Sequence, residues 1–258
     1  MENNKFLPSD LMSSSPNRLT EAPRRLIPKV IHYCWFGSKP FSRTVRKCIS
    51  TWHKHLSDYK FCLWNEESCA AYAEAHNIAN PMEHPFVKSA YVAEKYAFVA
   101  DYVRFWALYH CGGIYLDTDM YVVKSFDDLL YDDFFAGWET PSCEYLNVAI
   151  LGSTKSNSCL KKVLLIYDLF EFDKNKMNKF IVPRIITPVF NQDQSLIIYP
   201  YDYFYAFPWG ERNKNNPEKY VTKNTYTLHL WDISWTPWYK KILKYLIIQV
   251  KKIKKNND

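Results

Sequence analysis

Apolar positions along the chain come in short solid runs separated by longer periodic ones. Lys29–Phe36 is a β-rich run closed by Gly37, which predicts a buried strand and a turn. From Ser42 to Leu56, Val45, Ile49, Trp52 and Leu56 recur at spacings of four, three and four, which predicts a helix. Tyr59–Trp64 reads as a second strand, followed by a polar turn at Asn65–Ser68. Strand, helix, strand at this spacing is a βαβ unit and implies a parallel α/β sheet flanked by helices. A single long helix is expected over 89–110, with Tyr91, Lys95, Phe98, Tyr102, Phe105 and Tyr109 near one face and Gly112-Gly113 as its stop. Ile114–Val123 reads as one strand carrying Asp117 and Asp119 in its middle. Further strands are expected at Phe134–Trp138, Leu146–Leu151 and Tyr226–Trp231, and a helix at Cys159–Phe170. Residues 173–179 form a Lys/Asn-rich loop, and the aromatic, Pro-rich stretch that follows to Trp209 has no regular period.

The two ends read differently. Residues 1–28 are polar and predict a mobile arm, which leaves 29–235 as the folded domain. Residues 236–258 hold seven Lys and one acid, Asp258. That is the whole formal net charge of +6, so the remainder is neutral. In this tail Tyr239, Ile242, Leu243, Leu246, Val250 and Ile253 cluster on one side of a helical projection and the Lys opposite. It predicts either a basic amphipathic helix on an anionic membrane surface or a terminal helix packed on the domain with its Lys solvated. Charge confined to a tail argues against nucleic acid as a partner.

With 48% hydrophobic residues the chain is no disordered polymer. It has six glycines and neither a G-x-G-x-x-G nor a P-loop pattern, which removes the standard phosphate cradles. Its seven cysteines contain no C-x-x-C pair, so a zinc ribbon is not expected. No apolar run of signal-peptide or membrane-spanning length is visible, which makes reduced thiols and a cytoplasmic location the expectation.

The acid pair carries the chemistry. Asp117 and Asp119 lie two apart inside an apolar run, so on a strand both would point to one face. Two like charges there are costly without a partner. Hard oxygen ligands favour Mg2+ or Mn2+, which bind through one or two carboxylates together with substrate phosphates. If the strand end frays into a loop the two can diverge, one to metal and one to ribose hydroxyls.

The run Asp101-Tyr102-Val103-Arg104 followed by Gly112-Gly113-Ile114-Tyr115-Leu116-Asp117-Thr118-Asp119 resembles the D-x-x-R … G-G-x-Y-x-D-x-D signature of glycosyltransferase family 32. That family is similar to fungal initiating mannosyltransferases and clostridial glucosylating toxins, and many bacterial members belong to capsule or surface-polysaccharide synthesis. Three weaker blocks resemble it in order: Ile31–Gly37, Leu146–Ser153 and His229–Trp235. The resemblance implies a GT-A fold (Rossmann-like), a nucleotide-sugar donor with UDP favoured, a Mn2+ or Mg2+ ion and retention of anomeric configuration. It implies a saccharide acceptor, and the basic tail would suit a lipid-linked one at the inner face of a bacterial membrane.

Carried over by position, Asp101 would accept from a donor-sugar hydroxyl and Arg104 would point its fork at sugar or diphosphate oxygens. Tyr115 and Asn147 would sit at the donor. Asp117, Asp119 and His229 would hold the metal, with Asp117 also on ribose or sugar hydroxyls. Tyr33 or Trp35 would stack on the base, and Ser234 and Trp235 would close over the diphosphate. Asp193 and Glu139 are the acids to test as base or nucleophile, and Asp232 is either functional or surface. The alternatives are a metal-dependent phosphohydrolase using the same acids and a non-catalytic, membrane-associated polysaccharide-binding protein.

Overall fold

A computed structural model describes residues 26–214 and 216–232. The expected C-terminal helix, with Ser234 and Trp235, lies outside the described residues. Eight strands are present among the described residues: β1 (Val30–Cys34), β2 (Lys60–Trp64), β3 (Gly113–Leu116), β4 (Met120–Val122), β5 (Phe134–Trp138), β6 (Leu146–Ser153), β7 (Ile197–Tyr199) and β8 (Thr227–His229). The helices are α1 (Arg43–His55), α2 (Glu66–His76), α3 (Pro85–Val92), α4 (Tyr96–Cys111), α5 (Ser158–Tyr167), α6 (Val182–Phe190) and α7 (Tyr201–Phe204).

Six strands form the central sheet in the order β2-β1-β3-β6-β5-β7, and only β6 runs against the rest. Alternate side chains of each strand enter opposite cores. On one face Cys34, Tyr115, Phe134 and Val148 pack under α2 to α6. On the other Ile31, Ile114, Leu116, Phe135 and Ala149 pack with Trp52 and Leu56 from the α1 side. The two short strands β4 and β8 form a separate antiparallel ribbon.

The βαβ unit is as the periodicity predicts. Ser42 caps α1 by accepting from the Val45 N–H, and the β1–β2 register is parallel from Val30↔Lys60 to Cys34↔Trp64. Four expectations need correction. Asn65–Ser68 is not a turn between elements but a capping box that opens α2: Asn65 Oδ1 takes the Ser68 N–H, and Ser68 Oγ takes the Asn65 N–H. The single long helix is two, α3 and α4, broken where Glu94 adopts φ +55°. The strand expected over 114–123 stops at Leu116 and resumes as β4 in the other sheet. Residues 26–28 belong to the folded part and not to a mobile arm, because Ile27 is buried and both Leu26 and Ile27 donate to the Leu130 carbonyl.

The α4–β3 joint is what brings the Asp101/Arg104 helix onto the Asp117 strand. Gly112 and Gly113 take φ +66° and +117°, and a Cβ on Gly113 would sit 2.7 Å from the Val30 carbonyl oxygen. Buried His32 ties the joint down. Its Nδ1 accepts from Trp64 Nε1 at 3.0 Å, which leaves Nε2–H to donate to the Gly112 carbonyl at 2.8 Å. Burial lowers this imidazole to about 4.

Candidate active site

The two aspartates sit in a turn between sheets. β3 delivers Asp117 at its end, the Asp117 carbonyl accepts from the Met120 N–H at 3.0 Å, and the chain leaves as β4. β4 pairs with β8 in the register Met120↔His229, and the Leu230 N–H donates to the Asp119 carbonyl at 3.0 Å. That pairing sets His229 Nε2 3.3 Å from Asp119 Oδ1. Ligand atoms of Asp117, Asp119 and His229 all lie within 4.8 Å of one another.

Beneath Asp117 the sheet is irregular. β5 and β6 slip register between Phe135↔Gly152 and Gly137↔Asn147, so β6 bulges over 148–151. Two carbonyls of this segment face the site. Ala149 O accepts from the Asp117 N–H at 2.7 Å, and Val148 O accepts from Arg104 Nη1 at 2.8 Å. Tyr205, 1% exposed, fills the gap: its hydroxyl donates to the Asn147 carbonyl at 3.0 Å and accepts from the Ile150 N–H at 3.2 Å.

Arg104 is a buried strut. Its Nη2 meets Asp101 Oδ1 at 2.6 Å and its Nη1 reaches Asp117 Oδ2 at 3.4 Å, while the guanidinium carbon lies 4.7 Å from the Tyr115 ring centre. The Tyr115 hydroxyl donates to Asp117 Oδ1 at 2.9 Å. Burial pushes the Asp101 carboxyl up to about 7 against the pull of Arg104. Burial also raises Asp117, with Arg104 opposing and Asp119 adding. His229 is raised: burial acts downward, and the charges of Asp119, Asp117 and Glu139 outweigh it.

These groups open onto a cleft of about 490 Å³ whose lining includes Trp35, Tyr96, Asp101, Asp119, Trp209 and Trp231. Trp35 lines it, with its Nε1 donating to the Lys39 carbonyl at 2.7 Å. Of the two base-stacking candidates Tyr33 does not line it; its ring meets Trp52 edge-on at 5.3 Å on the α1 side of the sheet. Asn147 is also off the cleft lining, because both ends of its amide are engaged: Nδ2 donates to Glu139 Oε2 at 3.0 Å and Oδ1 accepts from the Ala149 N–H at 2.9 Å. Asp193 is not brought to the site, since it closes a local turn after α6 by taking the Ser195 hydroxyl at 2.6 Å. Arg104 also lines the cleft, and its hydrogen bonds go to Asp101, Asp117 and the Val148 carbonyl, so it holds the two acids in place.

Sequence reasoning passed over several residues. Trp209 and Trp231 line the cleft with rings edge-to-face at 5.4 Å, and Trp231 lies 3.8 Å from the His229 ring. Trp209 ends the aromatic, Pro-rich stretch, and Trp231 closes the strand expected over Tyr226–Trp231. Asp232 is part of the surroundings: its N–H donates to Asp119 Oδ2 at 2.8 Å and its Oδ2 accepts from Ser42 Oγ at 2.8 Å. Tyr205 had no signal at all, because its partners are backbone groups of a bulge.

A family model described as "Glycosyltransferase sugar-binding region containing DXD motif" matches residues 42–136. The Schizosaccharomyces pombe inositol phosphoceramide mannosyltransferase 1 is 30% identical over 146 residues, covering 54% of this chain and 43% of the relative. The Saccharomyces cerevisiae mannosyl phosphorylinositol ceramide synthase CSH1 is 28% identical over 159 residues, covering 60% and 38%. The chain thus spans less than half the length of these relatives. Among solved structures, PaToxG glycosyltransferase superposes with a TM-score of 0.50 at 22% identity, over 64% of this chain and 68% of that one. The resemblance drawn from the D-x-x-R and D-x-D residues is borne out: residues 42–136 match the model of DXD-containing glycosyltransferase sugar-binding regions, and the sheet that carries them has the GT-A fold.

Proposed function

We propose that the protein transfers a hexosyl group from a nucleotide-sugar donor to a saccharide acceptor, with retention, and that Asp117, Asp119 and His229 hold a Mn2+ or Mg2+ ion for it. The observation that carries this is the convergence of those three side chains, from β3, the following turn and β8, at the floor of an aromatic-lined cleft. The donor set suits a hard divalent ion: two carboxylates and an imidazole, with one buried imidazole nitrogen, His229 Nδ1, without a protein partner. A bound ion would offset the charge that grows on the leaving diphosphate oxygens.

The protein's own groups do the positioning. Arg104, Tyr115 and the Ala149 carbonyl fix Asp117 from three directions, and the Asp232 N–H fixes Asp119. Such fixing lowers the reorganisation needed when charge moves. Asp101, at about 7, can accept from or donate to a donor-sugar hydroxyl. Trp35 offers an aromatic face to the base, and base stacking contributes about 1–3 kcal/mol. We assign this activity to the domain expected over 29–235, with Leu26 and Ile27 joined to it.

UDP-sugars remain the favoured donors, with GDP-mannose close behind because one fungal relative is a mannosyltransferase by name and the other a mannosyl phosphorylinositol ceramide synthase. Those names also support a lipid-borne acceptor. A role in a bacterial surface polysaccharide at the inner membrane face is part of the same proposal.

The test is donor turnover without acceptor. The protein is incubated with UDP-Gal, UDP-Glc, UDP-GalNAc, UDP-GlcNAc or GDP-Man, with Mn2+ or EDTA, and free nucleotide is measured. Mn2+-dependent release from one donor, lost in Asp119→Ala, is the expected result. No release from any donor, together with no nucleotide binding by calorimetry, overturns the proposal.

A further inference from the structure

From Gly37 to Ser57 the chain has no acidic residue and five Lys or Arg: Lys39, Arg43, Arg46, Lys47 and Lys54. The fold sorts them. Val45, Cys48, Thr51 and Trp52 turn inward, and Arg43, Arg46, Lys47, Ser50, His53 and Lys54 are exposed. At 100° per residue those six fall within an arc of about 120°, so the outer face of α1 is a continuous cationic stripe. Lys47 pairs with Glu218 at 3.2 Å and Arg46 donates to the Phe41 carbonyl, whereas the bonds and ion pairs found for Arg43 and Lys54 are none among the described residues.

The stripe begins at the cleft. Lys39 lines it, and Ser42, the N-cap of α1, holds Asp232 of its wall. The amphipathic logic of α1 is complete without these cations, since the inward face alone secures the helix. A solvated helix face ordinarily mixes both charge signs, and this one carries one sign only.

We infer that the outer face of α1 is an electrostatic docking surface for an anionic lipid bilayer, which sets the mouth of the cleft against the membrane. The charge is complementary to acidic headgroups. The exposed arc carries no aromatic platform of the kind that grips single-stranded nucleic acid, and no apolar ridge of the kind a protein partner would bury. Its contribution is separate from that of the basic C-terminal segment. It also does not require the proposed transfer reaction, because binding is read without turnover.

The test uses the full chain and sedimentation with vesicles of phosphatidylcholine alone or with about 30% phosphatidylserine. The variant is Arg43→Gln, Arg46→Gln and Lys54→Gln together, all exposed and none in the cleft. Each cation near such a surface is worth about fivefold in binding, so the triple variant should bind anionic vesicles roughly a hundredfold more weakly. Its melting temperature and donor turnover should match the wild type. Wild-type binding should also fall steeply with salt and be absent on neutral vesicles. Equal vesicle binding by variant and wild type would overturn the inference in favour of the C-terminal segment alone. No wild-type binding to acidic vesicles would overturn it outright, and retention on duplex DNA without vesicle binding would replace it with a nucleic-acid surface.

Discussion

Replacing Tyr205 by Phe removes one oxygen from the molecule and tests whether the β6 bulge is held from outside the sheet. In the native chain that hydroxyl bonds two backbone groups, the Asn147 carbonyl beside the slip and the Ile150 N–H, which the slip leaves without a strand partner on the β5 side. The ring is 1% exposed, so solvent does not reach the vacated position. An orphaned buried N–H costs about 1–3 kcal/mol, and the lost bond to the carbonyl about 1 kcal/mol more. The expected destabilisation is therefore about 2–4 kcal/mol, or roughly 5–15 °C in melting temperature for a chain of this size. Urea unfolding followed by tryptophan fluorescence should show a lower midpoint at unchanged slope. Mn2+ affinity should fall too, because Ala149 and Val148, the two carbonyls that aim Asp117 and Arg104, sit on the same bulge. A loss below about 0.5 kcal/mol with unaltered Mn2+ affinity would refute the reasoning, since it lies within the range of an inert surface change.

Arg104→Met should cost about 3–5 kcal/mol in the same unfolding assay, because it strands Asp101 and Asp117 without their cation. Gly113→Ala should lower stability by at least about 2 kcal/mol, for it adds a Cβ 2.7 Å from the Val30 carbonyl at φ +117°; melting by circular dichroism reads it. His32 carries a pH signature. Its folded value near 4 lies below the ordinary 6.5, so between those two pH values the unfolded chain binds the extra proton and stability rises with pH. The wild type should lose roughly 3 kcal/mol more than His32→Gln as pH falls from about 6.5 to 4, and parallel stability profiles would contradict this.

Much of this architecture is legible in the sequence where a local signal and the tertiary outcome agree. Ser42 and the Val45/Ile49/Trp52/Leu56 spacing mark α1 at both ends, because capping and burial are decided within the helix itself. Where the fold overrides local preference the reading goes astray. Ala93-Glu94-Lys95 contains nothing that stops a helix, yet the chain turns there through a left-handed Glu94. Asn65–Ser68 looks like a turn because its polar residues precede a run of small ones, and only the reciprocal side-chain bonds reveal a helix start. The metal candidates were visible because a motif names them. That Asp193 lies off the cleft and Asp232 in its wall is hidden for one reason: a carboxylate's neighbours on another element are not written near it. Asn147 and Arg104 stand in the motif blocks, whereas their bonds to Glu139, Ala149, Asp101 and Asp117 cannot be read there.

The pairing of β4 with β8 has a consequence for the order in which the molecule becomes competent. Every neighbour pair of the central sheet is in place once β7 has docked at Ile197–Tyr199, before β8 enters the chain. His229, and the amide of Asp232 that steadies Asp119, reach the acids only through the ribbon that β8 completes. Contacts so distant in sequence are slow to form. A chain can therefore possess its finished sheet and both aspartates while still lacking the assembled site proposed for the ion, and ion affinity followed during refolding should lag behind burial of the core.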